Sequence, residues 1–220
     1  WLTPDATESL AEAARADDCD LVVADFYRVN GKRYVEKKHI KKTHVMTREE
    51  FAMEMAEDPA DFYYGVMWNK LYRKSILLEH QIQCDTSMNW CEDFVLNLQM
   101  IRHAERFRAL QKPIYYYMKR KGSLVSTEAV STEAVKVKFE LLEKYRDLYQ
   151  SIGLYEEHKL KINSYILAVA KDGAAGVMTP KSKKLSPENV IPDKEKPGYQ
   201  HVEHTFEPVY DKNSEILILG

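Results

Sequence analysis

Cysteine is scarce in this chain. Of 220 residues only Cys19, Cys84 and Cys91 carry a thiol, an odd number with no C-x-x-C spacing. That excludes a disulfide framework and a cysteine zinc site, and it fits a reducing cytosol. Long apolar runs are missing too: nothing approaches the eighteen or so residues of a membrane span. Neither sign of charge dominates, since 32 Lys and Arg face 34 Asp and Glu for a net charge of −2. No whole-chain nucleic-acid footprint exists, and none is expected for residues 1–172. What is present is an ordinary 45% of hydrophobic residues, enough for one large domain or two small ones. The chain opens at Trp1 without methionine and closes at Gly220 after an apolar run, so both ends read as cuts in something longer.

Taken in order, Thr3-Pro4-Asp5 is a helix start with a hydroxyl cap and an early proline. It predicts a helix over 4–16 with Leu10, Ala13 and Ala14 on one side. Asp20–Val29 reads as a buried strand, and Asn30-Gly31 as a two-residue hairpin turn returning through 32–37. Asp18-Cys19-Asp20 has the spacing of a metal-binding acidic pair. It lies in a helix-to-strand turn, where solvated acids are common, and is read that way. Lys37, Lys38, Lys41 and Lys42 read as a solvated edge. Thr47 and Glu50 form a capping box opening a helix to Glu57, with Phe51 and Met55 inward. A strand is expected over 65–73, a short helix over 74–79 and an amphipathic helix over 92–104 with Phe94, Val95, Leu98 and Ile101 on its apolar face. Two strands, 106–110 and 114–118, are split by Lys112-Pro113. A tandem Val-Ser-Thr-Glu-Ala at 125–129 and 130–134 is too short for a repeat fold. Two helices then follow, one marked by Phe139, Leu142, Tyr145 and Tyr149, the other by Leu160, Ile162, Tyr165, Ile166 and Val169. They read as packing within the domain; a second reading lays them peripherally on a membrane surface.

Three signals stand at fixed distances within this plan: Trp68-Asn69-Lys70-Leu71-Tyr72-Arg73, then Trp90-Cys91-Glu92-Asp93-Phe94, then Tyr115 through Ser123. Singly they are an ordinary strand, an acidic helix start favoured by the helix dipole and a tyrosine-rich sheet edge. In this order and spacing they resemble the acceptor half of family-2 glycosyltransferases, inverting enzymes with a GT-A fold, and the resemblance runs from about Trp1 to Ala170. One departure is Cys91, where the family often has glycine. The resemblance implies an α/β fold, an incomplete GT-A domain over 1–172 without its N-terminal nucleotide-binding strands, ending in helices.

It also implies roles. Asp93 would be the catalytic base and Glu92 would orient it or the acceptor. Trp68, Asn69 and Lys70 would border the acceptor, with Lys70 supporting the strand, and Arg120 would meet the donor diphosphate. The donor would be a nucleotide-diphospho-sugar and the acceptor a saccharide or lipid-linked hydroxyl, in cell-surface polysaccharide or glycolipid synthesis at the cytoplasmic side. Trp1-Leu2-Thr3-Pro4 matches the segment that follows the family's metal acids. The ligands of a divalent Mg²⁺ or Mn²⁺ are therefore expected upstream of Trp1, and the chain by itself is expected to be inactive. The alternative is a non-catalytic binding or scaffold module on the same fold.

Residues 173–204 concentrate Gly, Pro, Lys and Ser without periodicity and read as an exposed linker. Residues 205–220 then read as the first strand of a second domain. From Phe206 on they resemble the opening of the uracil- and hypoxanthine-DNA glycosylase superfamily; the first strand of any other α/β domain would look the same.

Overall fold

The computed structural model describes residues 1–30, 33–59, 61–85, 91–118, 132–171 and 216–218. The hairpin tip, Arg120, most of the tandem pentamer and the 173–204 linker lie outside the described residues. The first helix is α1 (Ala6–Asp17), followed by the strands β1 (Leu21–Asn30) and β2 (Arg33–Lys37). Next come α2 (Arg48–Glu57), the single turn α3 (Phe62–Gly65), β3 (Lys70–Arg73), α4 (Lys74–Glu79) and α5 (Glu92–His103). The long strand β4 (Phe107–Met118) precedes two helices, α6 (Thr132–Ser151) and α7 (Tyr155–Lys171), and a short β5 (Ile216–Ile218).

β1 is the centre of an open mixed sheet. β4 lies parallel along one edge, and the other edge is shared: β3 pairs antiparallel with Leu21–Val23, and β2 with Phe26–Asn30. Asn30 lies opposite Arg33, the register of a two-residue hairpin. Alternation along β1 sorts its side chains between two layers. Val22 and Ala24 join Ala6, Leu10 and Ala14 of α1, while Leu21 and Val23 join α2, α5, α6 and α7; Phe26 joins the latter layer too, because the irregularity at Asp25 breaks the alternation. On the α5 side the core is aromatic: Tyr145 stacks on Tyr165 at 4.9 Å and lies edge-on to Tyr149. The Tyr149 hydroxyl donates to Ala52 O at 2.6 Å, so the last helices are tied to α2. Among the described residues no helix is long and apolar enough to cross a membrane.

Several expectations change in the folded chain. The capping box forms as expected, Thr47 and Glu50 each accepting from the other's main chain. At the first helix, however, the Thr3 hydroxyl donates to Asp5 Oδ1 at 2.9 Å and caps nothing. The strand expected over 65–73 is shortened to β3, because Asp61 caps Tyr63 N–H at 2.7 Å and turns 62–65 into α3. The two strands expected around Pro113 are one; the register with β1 slips from Ala24–Leu110 to Asp25–Pro113, and this irregularity accommodates a residue without an N–H. Phe139, expected inward, is 59% exposed, and Leu160 is 91% exposed, while Leu141, Leu148 and Ile162 are buried. Ile216–Ile218, read from sequence as part of a second domain's first strand, pairs antiparallel with β3 at the edge of this sheet.

Candidate functional site

The site is built where the 62–70 segment crosses the start of α5. Lys70 is the device that shapes the segment. Its ammonium is buried and donates to Val66 O at 2.5 Å, Tyr63 O at 2.8 Å and Asn69 Oδ1 at 2.9 Å. Burial pulls its pKa down to about 7, against the opposing charges of Asp93 and Asp61. Asn69, equally buried, donates to Ala24 O at 3.1 Å and Tyr63 O at 3.2 Å. Both residues were expected to border the acceptor, Lys70 as a support for the strand. The structure turns their polar groups inward, mostly onto main-chain carbonyls, so both serve as supports and form the wall behind the site.

Asn97 continues this wall. Its amide donates to Asp93 O at 2.8 Å, Gly65 O at 3.1 Å and Val66 O at 3.3 Å, and its oxygen accepts from the Tyr72 hydroxyl at 2.7 Å. The Tyr72 hydroxyl and the Gly65 carbonyl find a partner here inside the core, while Val66 O is shared with Lys70. Asn97 went unnoticed in the sequence, although it stands one helical turn after Asp93 on the face that α5 buries.

With the segment held, the amide of Met67 donates to Asp93 Oδ2 at 3.3 Å. Asp93 and Glu92 are half-buried in the first turn of α5. Burial raises the Asp93 pKa above the usual carboxylate value and the neighbouring Glu92 charge adds to it; the Met67 N–H and Lys70 oppose the shift. Cys91 caps the helix at φ 65°, so the left-handed turn for which glycine is suited is kept by a residue with a side chain. Its thiol is buried and its pKa is pushed up to about 12, so it is no nucleophile.

Trp68, one residue beyond Met67, lies in an aromatic wall. It stacks on Tyr115 at 4.2 Å and on Tyr117 at 5.5 Å, with the edge of Phe26 at 5.0 Å. Tyr116 points to the other face, stacked on Tyr27 and Trp1. The alternate tyrosines of the triplet thus serve different surfaces, and a period of two would have separated them. Arg28 sits opposite Tyr117 in the β1–β4 register, and burial lowers its pKa. Nothing in the local sequence signals that neighbour. Arg120 lies outside the described residues.

The acidic pair Asp18 and Asp20 does not fit a metal site. Asp20 Oδ2 accepts from the amides of Glu105 and Arg106, at 2.8 and 3.1 Å. Its Oδ1 pairs with Arg73 Nε at 2.7 Å, and Asp18 Oδ1 pairs with Arg73 Nη2 at 2.6 Å. These carboxylates fasten the α1–β1 turn to β3 and the start of β4.

An open mixed sheet with helices on both faces, and an acidic helix start beside its 62–70 crossing, define a GT-A-like α/β fold. In line with that, the chain is similar in structure to residues 1–349 of S. aureus TarS in complex with UDP-GlcNAc. The TM-score is 0.51 and the identity 18%, covering 78% of this chain and 53% of that one. In sequence it is 26% identical over 119 residues to the uncharacterized glycosyltransferase EpsJ of Bacillus subtilis (strain 168), which is 53% of this chain and 34% of the relative. The chain thus spans about half of the one and a third of the other. No family model matches it.

Proposed function

We propose that this chain is the acceptor-side half of an inverting glycosyltransferase, with Asp93 as its general base. The observation that carries the reading is the placement of Asp93: a half-buried carboxylate at a helix start, oriented by the Met67 amide, with the Trp68 aromatic wall beginning one residue further on. The acceptor hydroxyl attacks the anomeric carbon, and its proton passes to Asp93 as the new C–O bond forms. The bond from that carbon to the diphosphate breaks in line, and the leaving nucleoside diphosphate keeps the electron pair. The neighbouring Glu92 carboxylate raises the Asp93 pKa, which strengthens Asp93 as a base. The aromatic wall offers an apolar face to a sugar ring.

Similarity to EpsJ supports transferase chemistry, and the UDP-GlcNAc held by TarS supports a nucleotide-diphospho-sugar donor. The acceptor is a saccharide or lipid-linked hydroxyl. By the resemblance of Trp1-Leu2-Thr3-Pro4 to the segment that follows the family's metal acids, a divalent ion for the donor would be held by acids upstream of Trp1. The test is turnover of a UDP-sugar by a protein joining this chain to donor-binding strands, with Asp93 intact and as Asp93→Asn. Unchanged turnover in the variant would remove Asp93 from the reaction and favour a non-catalytic module.

A further inference from the structure

Asp25 occupies the point on β1 where its neighbours change. On one edge β3 ends opposite Val23, Asn69 reaches Ala24, and β2 begins opposite Phe26. On the other edge the register with β4 slips on both sides of Asp25. Two segments meet at this gap: the residues leaving β2, and those that run from the end of α2 into β3. They carry His39, Asp58 and Asp61, whose ligand-capable atoms all lie within 4.8 Å of one another. His39 Nδ1 is 3.8 Å from Asp61 Oδ2. The imidazole is held in place by Tyr63, stacked at 5.5 Å, and by Tyr64, edge-on at 4.8 Å.

A second observation concerns the carboxylate behind them. Asp25 is 1% exposed, and neither of its oxygens has a hydrogen-bond partner. Burial, with the Glu36 charge adding to it, raises its pKa to about 7; Lys38 and the His39 main-chain N–H, too poorly placed for a full hydrogen bond, oppose the shift, so it faces the segment that carries His39. Tyr63, whose ring covers His39, feels the charges of both Asp25 and Asp61, and its buried hydroxyl is also unpartnered. A buried acid without a partner is costly unless something neutralises it. An ion pair between His39 and Asp61 alone would leave Asp25 unchanged.

We propose that this junction binds one divalent transition-metal ion, Mn²⁺ or Zn²⁺, through His39, Asp58 and Asp61, with Asp25 as the buried countercharge. One imidazole with carboxylate oxygens suits a borderline ion better than Mg²⁺. The ion would tie the residues after β2 to Asp58 and Asp61 and so stiffen the segment leading to Trp68. This assignment does not depend on the transferase reading.

The test uses the 220-residue chain stripped with a chelator and titrated calorimetrically with MnCl₂, ZnCl₂ and MgCl₂, with melting temperature followed alongside. Mn²⁺ or Zn²⁺ should bind at one equivalent, more tightly than Mg²⁺, and raise the melting temperature, because a ligand of the native state stabilises it by mass action. Asp61→Asn keeps the cap on α3, and His39→Gln keeps a polar side chain; each should weaken the ion at least tenfold, and Asp25→Asn should weaken it too. If a variant fails to fold, nitrogen coupling from a histidine to Mn²⁺ in the unaltered chain decides the matter. No saturable site, Mg²⁺ binding as tightly as Mn²⁺, affinity unchanged in His39→Gln and Asp61→Asn, or no nitrogen coupling would each overturn the proposal.

Discussion

The main-chain amide of Met67 lies 3.3 Å from Asp93 Oδ2, across 26 residues of sequence. This bond joins the two halves of the candidate site, since Met67 precedes the aromatic platform at Trp68 and Asp93 opens α5. An asparagine at 93 keeps an oxygen to accept that bond but cannot take a proton. Asp93→Asn should therefore cost on the order of 10²–10⁴ in turnover, while donor affinity and melting temperature hold. The acid limb of the rate profile should fall above the ordinary aspartate value, because burial and Glu92 raise the pKa and the base works only when ionised. A rate profile flat down to the ordinary carboxylate range would contradict this.

Lys70 makes a prediction about stability. In Lys70→Met the carbonyls of Tyr63 and Val66 keep only the longer bonds from Asn69 and Asn97, and Asn69 Oδ1 loses its donor, at a cost of about 1–3 kcal/mol for that buried group. The pH dependence has a definite sign. The folded-state pKa is depressed from 10.5 to about 7, so between those values the unfolded chain binds the extra proton. Stability relative to Lys70→Met should rise as pH rises from about 7 towards 10.5, and be lowest below 7, where the charge is buried in full. Urea melts of both proteins across that range check it.

Cys91 adopts φ 65° without being glycine. The left-handed region costs an ordinary residue about 1–2 kcal/mol, and a β-branched one more. Cys91→Val should lower the melting temperature clearly. Cys91→Gly should stay near the native value, since relief of strain offsets the lost burial of the side chain. Chemical denaturation of both variants tests the pair.

Asn97→Leu keeps the side chain's bulk and removes every bond it makes. The Tyr72 hydroxyl and the Gly65 carbonyl would be left without their bonds in the core, Val66 O keeping only Lys70, and about 2 kcal/mol or more of stability should go with them. Its activity should fall along with its stability. Loss of activity without loss of stability would mean that Asn97 acts on the substrate itself.

The local elements were legible because short-range chemistry decides them. The Thr47–Glu50 box, the apolar period of α5 and the β1–β2 pairing depend on residues within a few positions of one another, and each stands in the structure where the pattern put it. The acids Glu92 and Asp93 were legible as a helix start for the same reason. Lys70 was legible as a support for the strand, but what the chain does with Asn69 and Asn97, and which carbonyls Lys70 gathers, was not. A polar side chain in a strand or helix carries no mark of whether it faces a ligand or a carbonyl of its own backbone. Here that choice follows from α3, a single turn that exists because Asp61 caps it and Lys70 gathers the oxygens beyond it. The joining of Trp68 with Tyr115 and Tyr117, and the gap on β1 that leaves Asp25 without a partner, depend on strand order and register. Those are set by contacts between residues far apart in the chain, and only the folded sheet decides them.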